Sequence, residues 1–140
     1  MTPEPVAPIV LDANIVLDVF VFSDAATTPL RQALNAGALD WLASQAMRDE
    51  LARVLAYPKI VTRLNFYKLS PEGILAAFDK HVRMVDAAPK STLTCSDPDD
   101  QKFIDLAVAH QALLLSKDRA VTSMKNRLLR QGIRVLTAIK

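Results

Sequence analysis

One cysteine, three glycines and two histidines in 140 residues narrow the chemistry open to this chain. Cys95 has no partner for an intrachain disulfide. With two scattered histidines it offers no Cys/His set of the kind that structural zinc sites use. A lone cysteine fits a reducing compartment, so a cytoplasmic location is expected. The glycines form no phosphate-cradling loop. No apolar run approaches the ~18 residues of a membrane span. The opening "MTPEPVAP" lacks a basic stretch followed by an apolar one, so no secretory signal is expected. Its three prolines predict a flexible leader over residues 1–8, followed by a single domain over 9–140.

What is present is a chain with 51% hydrophobic and 23% charged residues, ordinary for a globular domain with a sizeable core. The net charge of +2 says less than its distribution. From Lys117 to Lys140 there are seven basic residues against one acid, Asp118. From Ser96 to Asp105 the balance reverses, with Asp97, Asp99, Asp100 and Asp105 against Lys102. An acidic cluster beside a basic segment suits a metal site that meets a polyanion, although a basic segment by itself reads rather as a solvated helix face.

Strands and helices alternate along the chain. "PIVLD" reads as a short buried strand, and "NIVLDVFVF", ambiguous by period, as a helix after a turn at Ala13–Asn14. "TPLRQALNAGAL" predicts a helix capped by Thr28, and "LDWLA" a second strand. "SQAMRDELARVLAY" is an amphipathic helix stopped before Pro58. "KIVTRLNF" predicts a short helix, and "SPEGILAAFDKHVRMV" a helix with His81 in its middle, running into a strand near "RMVDA". "SDPDDQKFIDLAVAHQA" predicts a helix capped by Asp97, "LLLSKD" a strand, "AVTSMKNRLLRQG" one helix closed by Gly132, and "IRVLT" a last strand. This order indicates an α/β protein, with helices flanking a mostly parallel sheet.

Asp12 ends the first strand and Asp118 ends "LLLSKD". In an open parallel sheet, sites form beyond the carboxyl ends of the strands. Helical spacing puts Asp100 on the stripe of Ile104, Ala107, Val108 and Gln111, with Asp105 about 140° round the helix. On helix evidence alone Asp100 reads as compensation of the helix dipole, and Asp97 and Asp99 as a cap and a first-turn charge. Glu50 falls on the apolar stripe of Met47, Leu51, Val54 and Leu55, while Asp49 falls off it and can pair with Arg53. Glu50 can also be an edge position with its carboxylate in water, so Asp12, Glu50, Asp100 and Asp118 give three or four inward acids, with no basic residue on the same stripes. Clustered carboxylates repel unless protonated or bridged by a cation. All-oxygen sets suit Mg²⁺ or Mn²⁺, which serve phosphodiester hydrolysis.

In "VLDANIVLD", "DELARVLAYPKI" and "DPDDQKFIDLAVAHQALLLSKD" the sequence resembles the PIN-domain ribonucleases, especially the VapC-like toxins of type II toxin–antitoxin systems. The resemblance runs over roughly residues 9–137. It implies a three-layer α/β/α sandwich and Mg²⁺- or Mn²⁺-dependent endoribonuclease activity that leaves 5′-phosphate and 3′-hydroxyl ends. It implies Asp12, Glu50, Asp100 and Asp118 as catalytic metal ligands, Asn14 holding the first turn, Ser116 orienting Asp118 or a phosphate, and Asp105 as a lesser acid. Lys117 stands where the family often has a small residue, and a lysine there is placed to contact phosphate. Homodimers and a cognate antitoxin that blocks the site are further expectations, with Lys102, Arg119, Lys125 and Arg127 open to RNA or to solvent. The alternative is a PIN-like module that binds RNA or protein without cutting. A haloacid-dehalogenase-type phosphatase needs a second Asp where Asn14 stands, and a receiver-like module needs a strand-end lysine that is not apparent.

Overall fold

The computed structural model of the protein describes residues 7–23 and 25–139. Residues 1–6 of the expected leader lie outside the described residues, while Ala7 and Pro8 already belong to the first strand. Five strands form one sheet: β1 (Ala7–Leu11), β2 (Leu39–Ala43), β3 (Val82–Met84), β4 (Leu113–Leu115) and β5 (Val135–Leu136). Their order is β3-β2-β1-β4-β5 and every pairing is parallel. Among the described residues the helices are α1 (Ala13–Phe20), α2 (Thr28–Asn35), α3 (Gln45–Val54), α4 (Pro58–Phe66), α5 (Pro71–His81), α6 (Gln101–His110), α7 (Arg119–Thr122) and α8 (Lys125–Arg130).

The sandwich follows from connection handedness. Crossovers that step from β1 towards β3 carry α1 to α5, and those that step back towards β5 carry α6 to α8. Right-handed connections put the two sets on opposite faces. β1 and β4 are therefore apolar on both sides: Ile9, Val10, Leu114 and Leu115 are fully buried. Trp41 of β2 packs edge-on against Phe78 of α5, with ring centroids 5.2 Å apart, and stacks with Phe20 of α1 at 6.0 Å. These contacts fix the first helical layer on the sheet.

Four local expectations are corrected. The cap of α2 is Thr27, because a 3₁₀ turn over Ala25–Thr27 leads straight into the helix and makes Thr28 its first residue. "AVTSMKNRLLRQG" is two helices. Met124, fully buried, turns the chain into the core between α7 and α8, and Gly132 at φ +81° closes α8. The helix after Asp97 begins as a 3₁₀ turn over Pro98–Asp100 before α6. His81 is the last residue of α5, where its Nδ1 lies 2.9 Å from the Ala77 carbonyl oxygen.

Candidate metal centre

β1 is paired on one side with β2 and on the other with β4, so the crossovers leave in opposite directions. This switch point opens a crevice at the carboxyl ends of β1 and β4. Asp12 follows β1 directly. Its N–H donates to the Leu115 carbonyl at 3.1 Å, extending the β1–β4 ladder by one rung. Its Oδ1 accepts from the Ile15 N–H at 3.0 Å and so caps α1, and its Oδ2 accepts from the Ser116 hydroxyl. Ser116, fully buried, in turn accepts from the Asp118 N–H at 3.1 Å. One hydroxyl thus joins the two strand ends that carry Asp12 and Asp118. Asp118 caps α7 by accepting from the Ala120 N–H at 2.9 Å.

An aspartate at a buried strand end is therefore compensated by a helix cap and a serine. The compensation is partial. Burial still raises the Asp12 carboxyl above the usual range, with Ser116 and the Ile15 N–H acting against it and the charge of Asp118 adding to it.

A pocket of about 190 Å³ opens here, lined by Asp12, Asn14, Glu50, Asp97, Asp99, Asp100 and Asp118, with Val54 and Phe103 as apolar walls. All four expected acids meet in it. Carboxylate oxygens of Asp97, Asp100 and Asp118 lie within 4.8 Å of one another. Burial lifts the Asp100 carboxyl to about 7. The negative charge of Asp118 and a hydrogen bond between the two carboxyls push in the same direction. Among the described residues, Oδ2 of Asp100 and Oε2 of Glu50 are buried without a hydrogen-bond partner. Such oxygens are costly to bury unless something positive meets them. Oxygens from three or more carboxylates, two of them unpartnered, fit a hard divalent cation.

Asp97 was legible only as a cap, and it does accept from the Asp99 N–H at 3.0 Å. Its second role comes from the 3₁₀ turn, in which residues three apart eclipse and Asp97 stands over Asp100. The signal was the Asp-Pro-Asp-Asp run itself, whose proline starts the turn. No basic residue lies on the stripes that carry the acids, yet a cation from outside them reaches Glu50. Lys102, from α6 and not from the stripes themselves, stands 3.4 Å from Glu50 Oε1, while its Nζ also donates to the Asp99 carbonyl. Asp49 accepts from Gln45 at 2.9 Å, an i,i−4 bond on its own helix.

The remaining expected residues fall as follows. Asn14 is exposed at the pocket mouth, and its backbone N–H bonds Asp12. Asp105 lies outside the pocket lining and accepts from the Ser91 N–H at 2.9 Å and Gln101 Nε2 at 2.8 Å, tying the preceding loop to α6. Lys117 forms an ion pair with Asp18 of α1 and is not among the pocket residues. Cys95 is buried, and its thiol donates to the Ala120 carbonyl at 3.4 Å.

A parallel sheet with acids gathered at its switch point defines an α/β protein with a carboxylate-lined crevice. A model of the PIN domain family matches residues 8–120, which include all four expected acids. The chain belongs to the PIN domain family. Among solved structures it is similar to the crystal structure of VapBC2 from Rickettsia felis bound to a DNA fragment from its promoter. The TM-score is 0.59 at 14% identity, covering 92% of this chain and 97% of that one, and the likeness is one of fold. No curated protein sequence matches the chain. Among the described residues no helix is long and apolar enough to cross a membrane.

Proposed function

We propose that the protein is a Mg²⁺- or Mn²⁺-dependent endoribonuclease and the toxin of a toxin–antitoxin pair. The observation that carries the catalytic part is the pocket itself: converging carboxylates, two of whose buried oxygens have no partner. The toxin part is supported by the fold shared with VapBC2, and the VapC-like resemblance of the sequence adds a cognate antitoxin and a homodimer as partners.

Asp12, Glu50, Asp100 and Asp118 would hold the cation, joined by Asp97. When bound, a divalent cation supplies an activated water at neutral pH and stabilises charge on the phosphodiester. The protein's own part is positioning. Ser116 fixes Asp12 relative to Asp118, the cap bonds to Ile15 and Ala120 N–H groups lock both side chains, and Lys102 holds Glu50 against the pocket. Asp100, with its proton held up to about pH 7, is the ligand most sensitive to whether a cation is present.

The test is cleavage of a mixed RNA pool by purified protein in Mn²⁺, Mg²⁺ and EDTA, with Asp100→Asn alongside. Metal-dependent cleavage that disappears in a folded Asp100→Asn supports the reading. Equal trace activity in both proteins sinks it and leaves a non-cutting module.

A further inference from the structure

α4 departs from the rest of the surface in both charge and apolarity. Between Leu51 and Pro71 there are four cations, Arg53, Lys59, Arg63 and Lys68, and no acid. All four are exposed, and among the described residues none is in an ion pair. The segment also holds four of the six exposed large hydrophobic residues among the described ones. Phe66 is 75% exposed, Tyr57 54% and Tyr67 41%. Phe66 and Tyr67 stand edge to face, with centroids 5.2 Å apart.

The arrangement is ordered by the helix. Leu64 is buried and Ile60 half-buried, so they anchor α4 to the core. Lys59, Arg63 and Phe66, at i, i+4 and i+7, share one exposed stripe beside that anchor. A charge run with acids interspersed is an ordinary solvated face. A run with no acids, interleaved with aromatic rings in water, lacks that explanation, and exposed apolar patches of this kind mark interaction sites. Cations select a polyanion, and exposed rings offer a face to unpaired bases, so the combination matches single-stranded nucleic acid. The segment is joined to the acidic pocket. Val54, the last residue of α3, lines that pocket beside Glu50, and only Leu55, Ala56 and Tyr57 separate it from α4.

We propose that the exposed surface of α4 and the residues that flank it is a docking surface for single-stranded RNA, with bases stacked on Phe66, Tyr67 and Tyr57 and phosphates held by Lys59, Arg63 and Lys68. This rests on the ribonuclease reading for RNA as the bound chain and adds the surface that carries it. α4 extends the track by about 13 Å at the helical rise, room for a few nucleotides beyond the pocket.

The test is fluorescence anisotropy with a short mixed-sequence single-stranded RNA in EDTA, where a metal-dependent nuclease leaves the probe intact. Wild type is compared with Phe66→Ala, Phe66→Trp and the Lys59→Ala/Arg63→Ala pair, each checked by circular dichroism and gel filtration. Wild type is expected to prefer the single strand to a duplex of the same sequence. Phe66→Ala weakens binding on the order of tenfold, and Phe66→Trp keeps it. The charge pair lowers the salt slope of log K by ~1.4, ~0.7 for each phosphate contact. No binding by wild type, or unchanged affinity in Phe66→Ala and the charge pair, overturns the proposal. So does a Phe66→Ala variant that binds RNA normally but changes its oligomeric state, which would make the face a protein contact. The two readings separate cleanly. Metal-dependent cleavage with unaltered binding by the variants removes only the docking surface. RNA affinity that depends on Phe66, in a protein that cuts nothing, removes only the nuclease.

Discussion

The two ends of the sheet treat their acids in opposite ways. At the amino end of β2, Asp40 sits level with Pro8 of β1 and is clasped by Arg83 from β3, through bonds of 3.0 and 2.7 Å. The Arg83 guanidinium holds the Asp40 carboxyl below its usual range. Arg48 does the same for Asp79 between α3 and α5. At the carboxyl ends of β1 and β4 the acids face one another. Asp12 and Asp100 are raised, and two buried oxygens have no partner. The first arrangement is complete as it stands. The second leaves carboxylates whose mutual repulsion a proton or a cation would relieve. α3 contains both kinds: Arg48 points into a finished ion pair and Glu50, two residues on, into the pocket.

The largest effects are expected where the contrast is sharpest. Asp100→Asn removes charge from the centre of the cluster. RNA cleavage is expected to fall by more than the ~10–100-fold typical of disturbing a ligand's support. The metal-free fold should survive, because an amide there relieves repulsion. A thermal melt with and without Mn²⁺ checks the other half. At ~100 times its Kd an ion that binds only the native state adds ~2.7 kcal/mol, raising the melting temperature of wild type. Asp100→Asn should lose most of that rise. Ser116→Ala comes next: it strips Asp12 Oδ2 of its hydrogen bond and unlinks the two strand ends. Turnover should drop ~10–100-fold with the fold retained. A wild-type rate in that variant would show that Ser116 does not position the acids.

The pH dependence separates the two ends without any substitution at the amino end. An acid whose pKa is higher folded than unfolded keeps its proton in the native state over the window between the two values. Native protein then binds more protons than unfolded chain, and stability falls as pH rises through that window. For Asp100 the window runs from 3.8 to about 7. In EDTA the melting temperature should therefore decline between about pH 4 and 7, and Asp100→Asn should flatten the decline. A saturating divalent cation should flatten it too, by taking the place of the proton. A decline equally steep in wild type and variant would assign the effect to other groups.

Much of this contrast was legible in the sequence. Apolar runs ending in an acid identified β1 and the β4 end, because a strand buried on both faces has to be continuous and its acid has to lie at the rim. Glu50 stood out because it interrupts an apolar stripe. What the sequence hid depends on contacts between elements. Lys102 lies in a different helix from Glu50, so no periodicity connects them. Asp97 needed the 3₁₀ turn to come over Asp100. The break at Met124 is invisible to a helical pattern that remains apolar on one face through residues 120–129. The pairing of Asp40 with Arg83, 43 residues away, is set by strand order alone.

The smallest effect completes the comparison. Arg83→Ala breaks a bidentate pair whose side chains are 59% and 27% exposed. Two charges this close to water lose little when separated, because each is rehydrated and the freed side chain regains its rotamers. Asp40, no longer held low, reverts towards an ordinary carboxylate and remains charged at neutral pH. The melting temperature should barely move and RNA cleavage should be unchanged, since the pair sits at the opposite end of the strands from Asp12. Four residues of β1, ~13 Å of extended chain, separate the level of Pro8 from Asp12. A large loss of activity in Arg83→Ala would mean that the amino end is coupled to the pocket and that the acids cannot be sorted by whether their own oxygens are satisfied.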